Sequence, residues 1–257
     1  MSDRFFRKNN ATIITQKLVT KAVLEHHLIN EGDRILIAVS GGKDSTVLAM
    51  ALAAVRKAVK QNYFLSALHI SSDFCSCCKK IELAKALERW DIPFEDIFVP
   101  VIGRLKAGEK MNCYWCSTQR RTELIAYALS HNFNKVALGH HLDDIIETFF
   151  MNITAAGKLS GMPVLLPYRK YPLSLIRPLA YLEERQIISC AEENGLLKSA
   201  CTCPYGKNSK RGDIRKKIAD FTGGSSSIKR RILKAFNQQE ADPATVDLND
   251  ACVKKDY

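Results

Sequence analysis

The chain has 257 residues, 46% hydrophobic and 25% charged, the makeup of a globular protein with one large domain and appendages. It holds no run of about 18 uncharged apolar residues, and its start, MSDRFFRKNN, lacks the apolar core of a secretory signal; a cytoplasmic protein with no membrane partner is expected. Lysine and arginine exceed acids to give +11, and nine cysteines, an odd number, favour metal ligation or thiol chemistry over a disulfide framework.

Lys17 to Asn30 has helical spacing and stops at Gly32. Arg34 to Val39 reads as a buried strand, followed by the turn Ser40-Gly41-Gly42-Lys43-Asp44-Ser45 and an alanine- and leucine-rich helix, Thr46 to Lys57. Strands and helices then alternate: Phe64 to Ile70 and Lys79 to Trp90, Ile97 to Val99 and Thr118 to Ser130, Lys135 to Leu138 and Leu142 to Asn152, Leu173 to Ile176 and Glu183 to Asn194. Such alternation predicts an α/β fold with a doubly wound, mostly parallel sheet. Two short helices, Ile214 to Phe221 and Ile228 to Phe236, follow around a Gly-Ser linker. The expected organisation is an N-terminal helical segment over 1–32, the main domain over 33–200, a basic helical segment over 201–237, and a polar, frayed tail over 238–257.

Between Leu197 and Ala235 stand eleven basic and two acidic residues. Clustered positive charge releases counterions from a polyanion, while the alternative is a solvated helical face. Lys207, Lys210, Arg211, Arg215, Lys229, Arg230 and Arg231 are the candidate contacts to nucleic acid backbone.

The sharpest local signal is the turn at residues 40–45, between a strand and a helix. Its glycines allow a tight turn, so amides at the helix start face an anion, with Ser40, Lys43 and Ser45 adding donors. The spacing is not that of a Walker loop, which needs four residues between its glycines. In an open α/β sheet this position, beyond a strand's C-terminal end, is where ligands bind.

Asp143 and Asp144 follow His140 and His141 at another expected strand end. One carboxylate can hold Mg2+ and the other orient or deprotonate an attacking group, although an Asp at a helix start also serves as a cap. Cys113 and Cys116 are spaced to share a metal centre, and Cys201 and Cys203 add one or two further thiolates. By spacing alone, a closed zinc site and an iron–sulfur cluster with one open iron stand level.

The turn SGGKDS matches the PP-loop of the ATP-pyrophosphatases, which transfer AMP from ATP to a substrate oxygen. Leu138-Gly139-His140-His141-Leu142-Asp143-Asp144, with Glu147, Thr148 and Asn152, resembles a second block of the tRNA-thiolating branch. Cys113-Tyr114-Trp115-Cys116, the stretch from Gly157 to Pro163, Arg177-Pro178-Leu179 and Cys201 resemble further parts of it, in consistent order from about Asp33 to Ala219. The group most similar is that of the tRNA 2-thiocytidine synthetases.

This resemblance implies a PP-loop fold and ATP bound by Ala38, Ser40, Gly41, Gly42, Lys43, Asp44, Ser45, His69, Gly139 and His140. It implies a 4Fe-4S cluster on Cys113, Cys116 and Cys201, its open iron carrying sulfide, and catalysis by Asp143, Asp144, Lys43 and Arg120. The implied reaction is adenylation of C2 of a tRNA pyrimidine, cytidine 32 of the anticodon loop, followed by sulfur insertion. A sulfur donor such as a cysteine desulfurase is implied too, and a homodimer follows by analogy alone. Cys75, Cys77 and Cys78 depart from the family pattern, and Arg120 stands where related thiolases carry a basic catalytic residue. Two alternatives are a PP-loop enzyme using zinc or a cysteine persulfide on another base or small molecule, and a non-catalytic, zinc-stabilised RNA-binding protein.

Overall fold

In the computed structural model, which describes residues 10–59, 61–74, 80–196 and 211–240, six strands form one sheet. The strands are β1 (Arg34–Ala38), β2 (Phe64–Ser72), β3 (Phe94–Val99), β4 (Lys135–Ala137), β5 (Leu165–Pro167) and β6 (Ser174–Ile176), in the order β3-β2-β1-β4-β6-β5. Every neighbouring pair is parallel except β5 with β6. The expected doubly wound topology is therefore present, with an antiparallel edge at β5. That strand is absent from the sequence reading because three residues ending in a proline carry no periodic signal.

The helices are α1 (Asn10–Glu25), α2 (Lys43–Ala58), α3 (Lys80–Glu88), α4 (Cys113–Ser130), α5 (Leu142–Ala156), α6 (Glu184–Glu193), α7 (Arg211–Thr222) and α8 (Ser226–Glu240). Alternation along β1 builds two layers. Ile35 and Ile37 enter a core shared with α1, α2, α5 and α6, while Leu36 enters a second core closed by Leu124 and Ala128 of α4. Ile218 of α7 and Leu233 and Phe236 of α8 belong to the first core, so the basic segment packs on the same body as the sheet.

Helix α1 begins seven residues before its expected start, at Asn10. Its first amides are satisfied from outside the helix: Glu193, at the end of α6, accepts the Ala11 and Thr12 amides at 3.1 and 3.0 Å. Helix α4 also begins earlier than expected, at Cys113, because Asn112 caps it by accepting the Trp115 amide at 2.8 Å. That extension places both cysteines of the pair inside the first turn. Among the described residues no helix is long and apolar enough to cross a membrane.

Candidate active site

The order of the sheet reverses between β1 and β4, whose residues Ile37 and Ala137 lie side by side. The loops leaving these two strands form the crevice where an open α/β sheet binds ligands. The first loop turns at Gly41, whose φ of +78° an L side chain rarely adopts. It is tied internally by the Ser40 amide donating to Ser45 Oγ at 3.1 Å, and by Ser45 Oγ and Thr46 Oγ1 donating to the Gly42 carbonyl. No side chain caps α2 at Gly42, so the amides of its first turn remain directed at the crevice.

The second loop presses against the first. A Cβ on Gly139 would stand 3.1 Å from the Ser45 nitrogen and 3.2 Å from the Asp44 carbonyl carbon, both backbone atoms. Only glycine lets the two loops approach this closely. His140, also in this loop, accepts at Nδ1 from Arg177 Nε at 3.4 Å, and Arg177 further donates to the Pro163 carbonyl. Sequence reasoning placed Arg177 in a motif but gave it no task; its buried guanidinium anchors the histidine.

Asp143 and Asp144 open α5 and have different surroundings. Asp144 Oδ2 accepts the His141 amide at 3.3 Å and lies 3.4 Å from His141 Nε2, so it takes part in the capping box of α5. Asp143 accepts the Glu184 amide at 2.7 Å and pairs with Lys229 at 2.6 Å. Burial pushes the Asp143 carboxyl up, but the hydrogen bonds from Lys229 and the Glu184 amide outweigh it and hold the group below the usual range. The capping reading of the pair therefore holds for Asp144, while Asp143 is tied to α6 and α8.

Lys43 contacts Glu184 Oε1 at 3.0 Å and Asp44 Oδ1 at 3.2 Å. No donor is aligned with that Asp44 oxygen, which is buried without a hydrogen bond. A carboxylate oxygen without a hydrogen bond is the ligand type a hard cation such as Mg2+ takes. His69 is buried; its Nδ1 bonds the Val39 carbonyl at 2.7 Å, which steadies the chain entering the first loop. Burial pushes its pKa down, beyond what Val39 and Asp96 restore. Ala38 ends β1 just before the turn.

Cys113, exposed, and Cys116, half-buried, lie three residues apart in the first turn of α4, and Arg120 follows one turn later. Arg120 Nη2 donates to the Ile70 carbonyl of β2 at 2.6 Å, and Trp115 Nε1 to the Val101 carbonyl just beyond β3 at 2.9 Å. These anchors hold the cysteine turn on the same edge as the anion loop. Two accessible thiols at the positive end of a helix dipole suit an anionic sulfur-rich centre. The expected ligand Cys201, the spare Cys203, the Cys75, Cys77 and Cys78 group, and Lys207 and Lys210 lie outside the described residues.

Of the basic residues expected to meet nucleic acid, Arg230 and Arg231 are exposed on α8, and Arg211 opens α7. Arg215 and Lys229 instead engage the chain's own carboxylates: Arg215 binds Glu147 at 2.6 Å and Glu184 at 3.1 Å, and Lys229 binds Asp143 and Glu183. The acids Glu147, Glu183 and Glu184 were not anticipated as site residues. Glu183 and Glu184 read as an ordinary acidic helix start, and only the packing of α6 against α1 and α2 brings them to the crevice.

A phosphate-type loop and a glycine-tight second loop at the switch point of a parallel sheet define a PP-loop protein. The family model described as PP-loop domain matches residues 11–220. The tRNA-cytidine(32) 2-sulfurtransferase of Dichelobacter nodosus is 34% identical over 79% of this chain and 77% of its own length, and that of Geobacter metallireducens 34% over 85% and 86%. The chain belongs to the PP-loop family, in the branch of the tRNA-cytidine(32) 2-sulfurtransferases. The fold is similar to that of the U34-tRNA thiolase NcsA from Methanococcus maripaludis, solved with its 4Fe-4S cluster, with a TM-score of 0.76, 21% identity and coverage of 97% of this chain and 87% of that one. It is more distantly similar to the NMN synthetase of Francisella tularensis, with a TM-score of 0.53 and 14% identity, covering 98% and 100% of the two chains.

Proposed function

We propose that this chain is an ATP-dependent tRNA sulfurtransferase that converts a cytidine of the anticodon loop, position 32, to 2-thiocytidine. The observation that carries this reading is the presence of the anion loop, the Asp143–Asp144 helix start and the Cys113–Cys116 turn on one edge of the sheet. The relatives named as tRNA-cytidine(32) 2-sulfurtransferases supply the substrate.

ATP phosphates sit against the amides at the start of α2, with Lys43 balancing charge as pyrophosphate departs. Asp44 is the carboxylate left to hold Mg2+, since Asp143 is committed to Lys229 and the Glu184 amide and Asp144 serves the base. The C2 oxygen of the base bonds to the α-phosphorus and the bond to pyrophosphate breaks, which turns a poor leaving group into AMP. Asp144, held through His141, orients the base and balances its proton. Arg120, anchored on β2, places positive charge beside the departing AMP. Cys113 and Cys116, with Cys201, would hold a 4Fe-4S cluster, which when bound would supply sulfide to displace AMP from C2. The exposed Arg230 and Arg231, with Arg211, Lys207 and Lys210, meet the tRNA backbone, whose unpaired loop bases enter the crevice. A cysteine desulfurase or similar donor renews the sulfur. A cytoplasmic setting and a homodimer complete the reading.

The test is anaerobic incubation of the reconstituted protein with ATP, Mg2+, sulfide and unmodified tRNA, followed by nucleoside analysis. Thiocytidine formed together with AMP and pyrophosphate, and lost in Asp44→Ala and Lys43→Ala, is the expected result. Failure to cleave ATP to AMP and pyrophosphate in the presence of tRNA overturns the proposal.

A further inference from the structure

Glu184 divides its carboxylate between two cations from distant parts of the chain. Oε1 lies 3.0 Å from Lys43 Nζ, at the start of α2, and Oε2 lies 3.1 Å from Arg215 Nη1, on α7. Arg215 also gives its Nε to Glu147 Oε1 at 2.6 Å, so one guanidinium bridges α5 and α6. Glu184, Arg215 and Glu147 border a cavity of about 210 Å³ between α5, the start of α6 and the C-terminal helices.

Two features set this arrangement apart from ordinary helix capping or surface pairing. The N-terminus of α6 is already closed by a reciprocal box of Glu183 and Gln186, so Glu184 is not needed there. Glu147 is 2% exposed and its Oε2 has no hydrogen-bond partner. A buried carboxylate with one oxygen unsatisfied opposes folding, and buried ion pairs are weak sources of stability. What the pair achieves is orientation: it fixes a planar fork at a definite place, and the fork fixes Glu184.

We propose that Glu184, anchored by Arg215, is a positioning residue that holds the Lys43 ammonium at the mouth of the anion loop for the nucleotide phosphates. This rests on the nucleotide-binding reading above and extends it to α6 and α7. Burial pushes the Lys43 pKa down, and the hydrogen bond and charge of Glu184, together with Asp44, more than reverse this. Arg215 is held up chiefly by its hydrogen bond to Glu147, which keeps the anchor charged. Arg215 thereby links α7, a basic helix, to the loop that binds ATP. Lysine at position 215 retains charge but cannot serve both carboxylates as the fork does.

The experiment measures binding of a non-hydrolysable α,β-methylene ATP analogue with Mg2+ by calorimetry, for wild type, Glu184→Gln, Lys43→Met, the double variant and Arg215→Lys. Glu184→Gln is expected to weaken binding about fivefold with little change in melting temperature, since it removes the charge from two contacts, to Lys43 and Arg215, at a partly exposed position. In the Lys43→Met background the same substitution is expected to have almost no effect, as coupled residues require. Arg215→Lys is expected to reproduce part of the loss; if that variant does not fold, the cycle between Lys43 and Glu184 still decides. Wild type that binds while the two single effects simply add overturns this proposal alone. Wild type that binds no analogue overturns the nucleotide reading and this proposal with it.

Discussion

Lys229 Nζ lies 2.6 Å from Asp143 Oδ1, so a lysine from the basic C-terminal segment neutralises a carboxylate at the start of α5. The same ammonium reaches Glu183 Oε2 at 3.3 Å. Both partners are largely shielded from water, and the lysine is thus a structural counterion rather than a free contact for RNA.

Removing that counterion is expected to change stability with a defined pH signature. Lys229→Met leaves two acids without their cation and is expected to destabilise the chain by about 1–3 kcal/mol at neutral pH. In wild type the folded Asp143 pKa lies below its unfolded value. Its contribution is therefore complete above the ordinary carboxylate range and is lost as pH falls through the folded pKa. The loss of stability on acidification is expected to be shallower in Lys229→Met. Urea unfolding across the acid range checks both statements.

Gly139→Ala tests the contact between the two loops. Its Cβ would meet backbone of Asp44 and Ser45 at 3.1 to 3.2 Å, and neither atom can move without shifting the anion loop. The expected result is a loss of about 1–3 kcal/mol in stability, the usual range for overpacking, and clearly weakened nucleotide binding. Thermal melts with and without ATP analogue separate the two effects.

Cys113→Ser and Cys116→Ser address the sulfur centre. Cys113 is exposed and Cys116 half-buried, so neither change opens a core cavity and the circular dichroism is expected to match wild type. Anaerobic wild type is expected to carry about four irons and four sulfides, and each variant to lose them. One bound zinc in place of iron would point instead to a structural metal.

Arg230 and Arg231 offer a contrast with Lys229. They are exposed, and substitution by alanine is expected to reduce tRNA affinity while leaving the melting temperature unchanged. Each lost phosphate contact is expected to lower the slope of log affinity against log salt by about 0.7 to 0.9. A salt titration of filter binding reads this directly.

Much of this protein is legible along the chain because the deciding forces are local. Alternating strands and helices foretell the parallel sheet, and two glycines with a lysine and serines between β1 and α2 foretell an anion loop. Cys113 and Cys116 stand out as a candidate ligand pair by their spacing. Strand β5 escapes such reading, since it exists only through its register with β6. The early start of α1 escapes it too, because its amides are satisfied by Glu193, 181 residues beyond Thr12.

By itself the sequence determined the fold class, the glycine turn between β1 and α2 and the surplus of positive charge near the C-terminus. Only the tertiary structure decided where that charge goes. Arg215 meets Glu147 across 68 residues and Lys229 meets Asp143 across 86, because α7 and α8 bury Ile218, Leu233 and Phe236 in the core beside α5 and α6. Charge pairing over such separations follows from how apolar faces dock, and local sequence contains no record of which faces will meet.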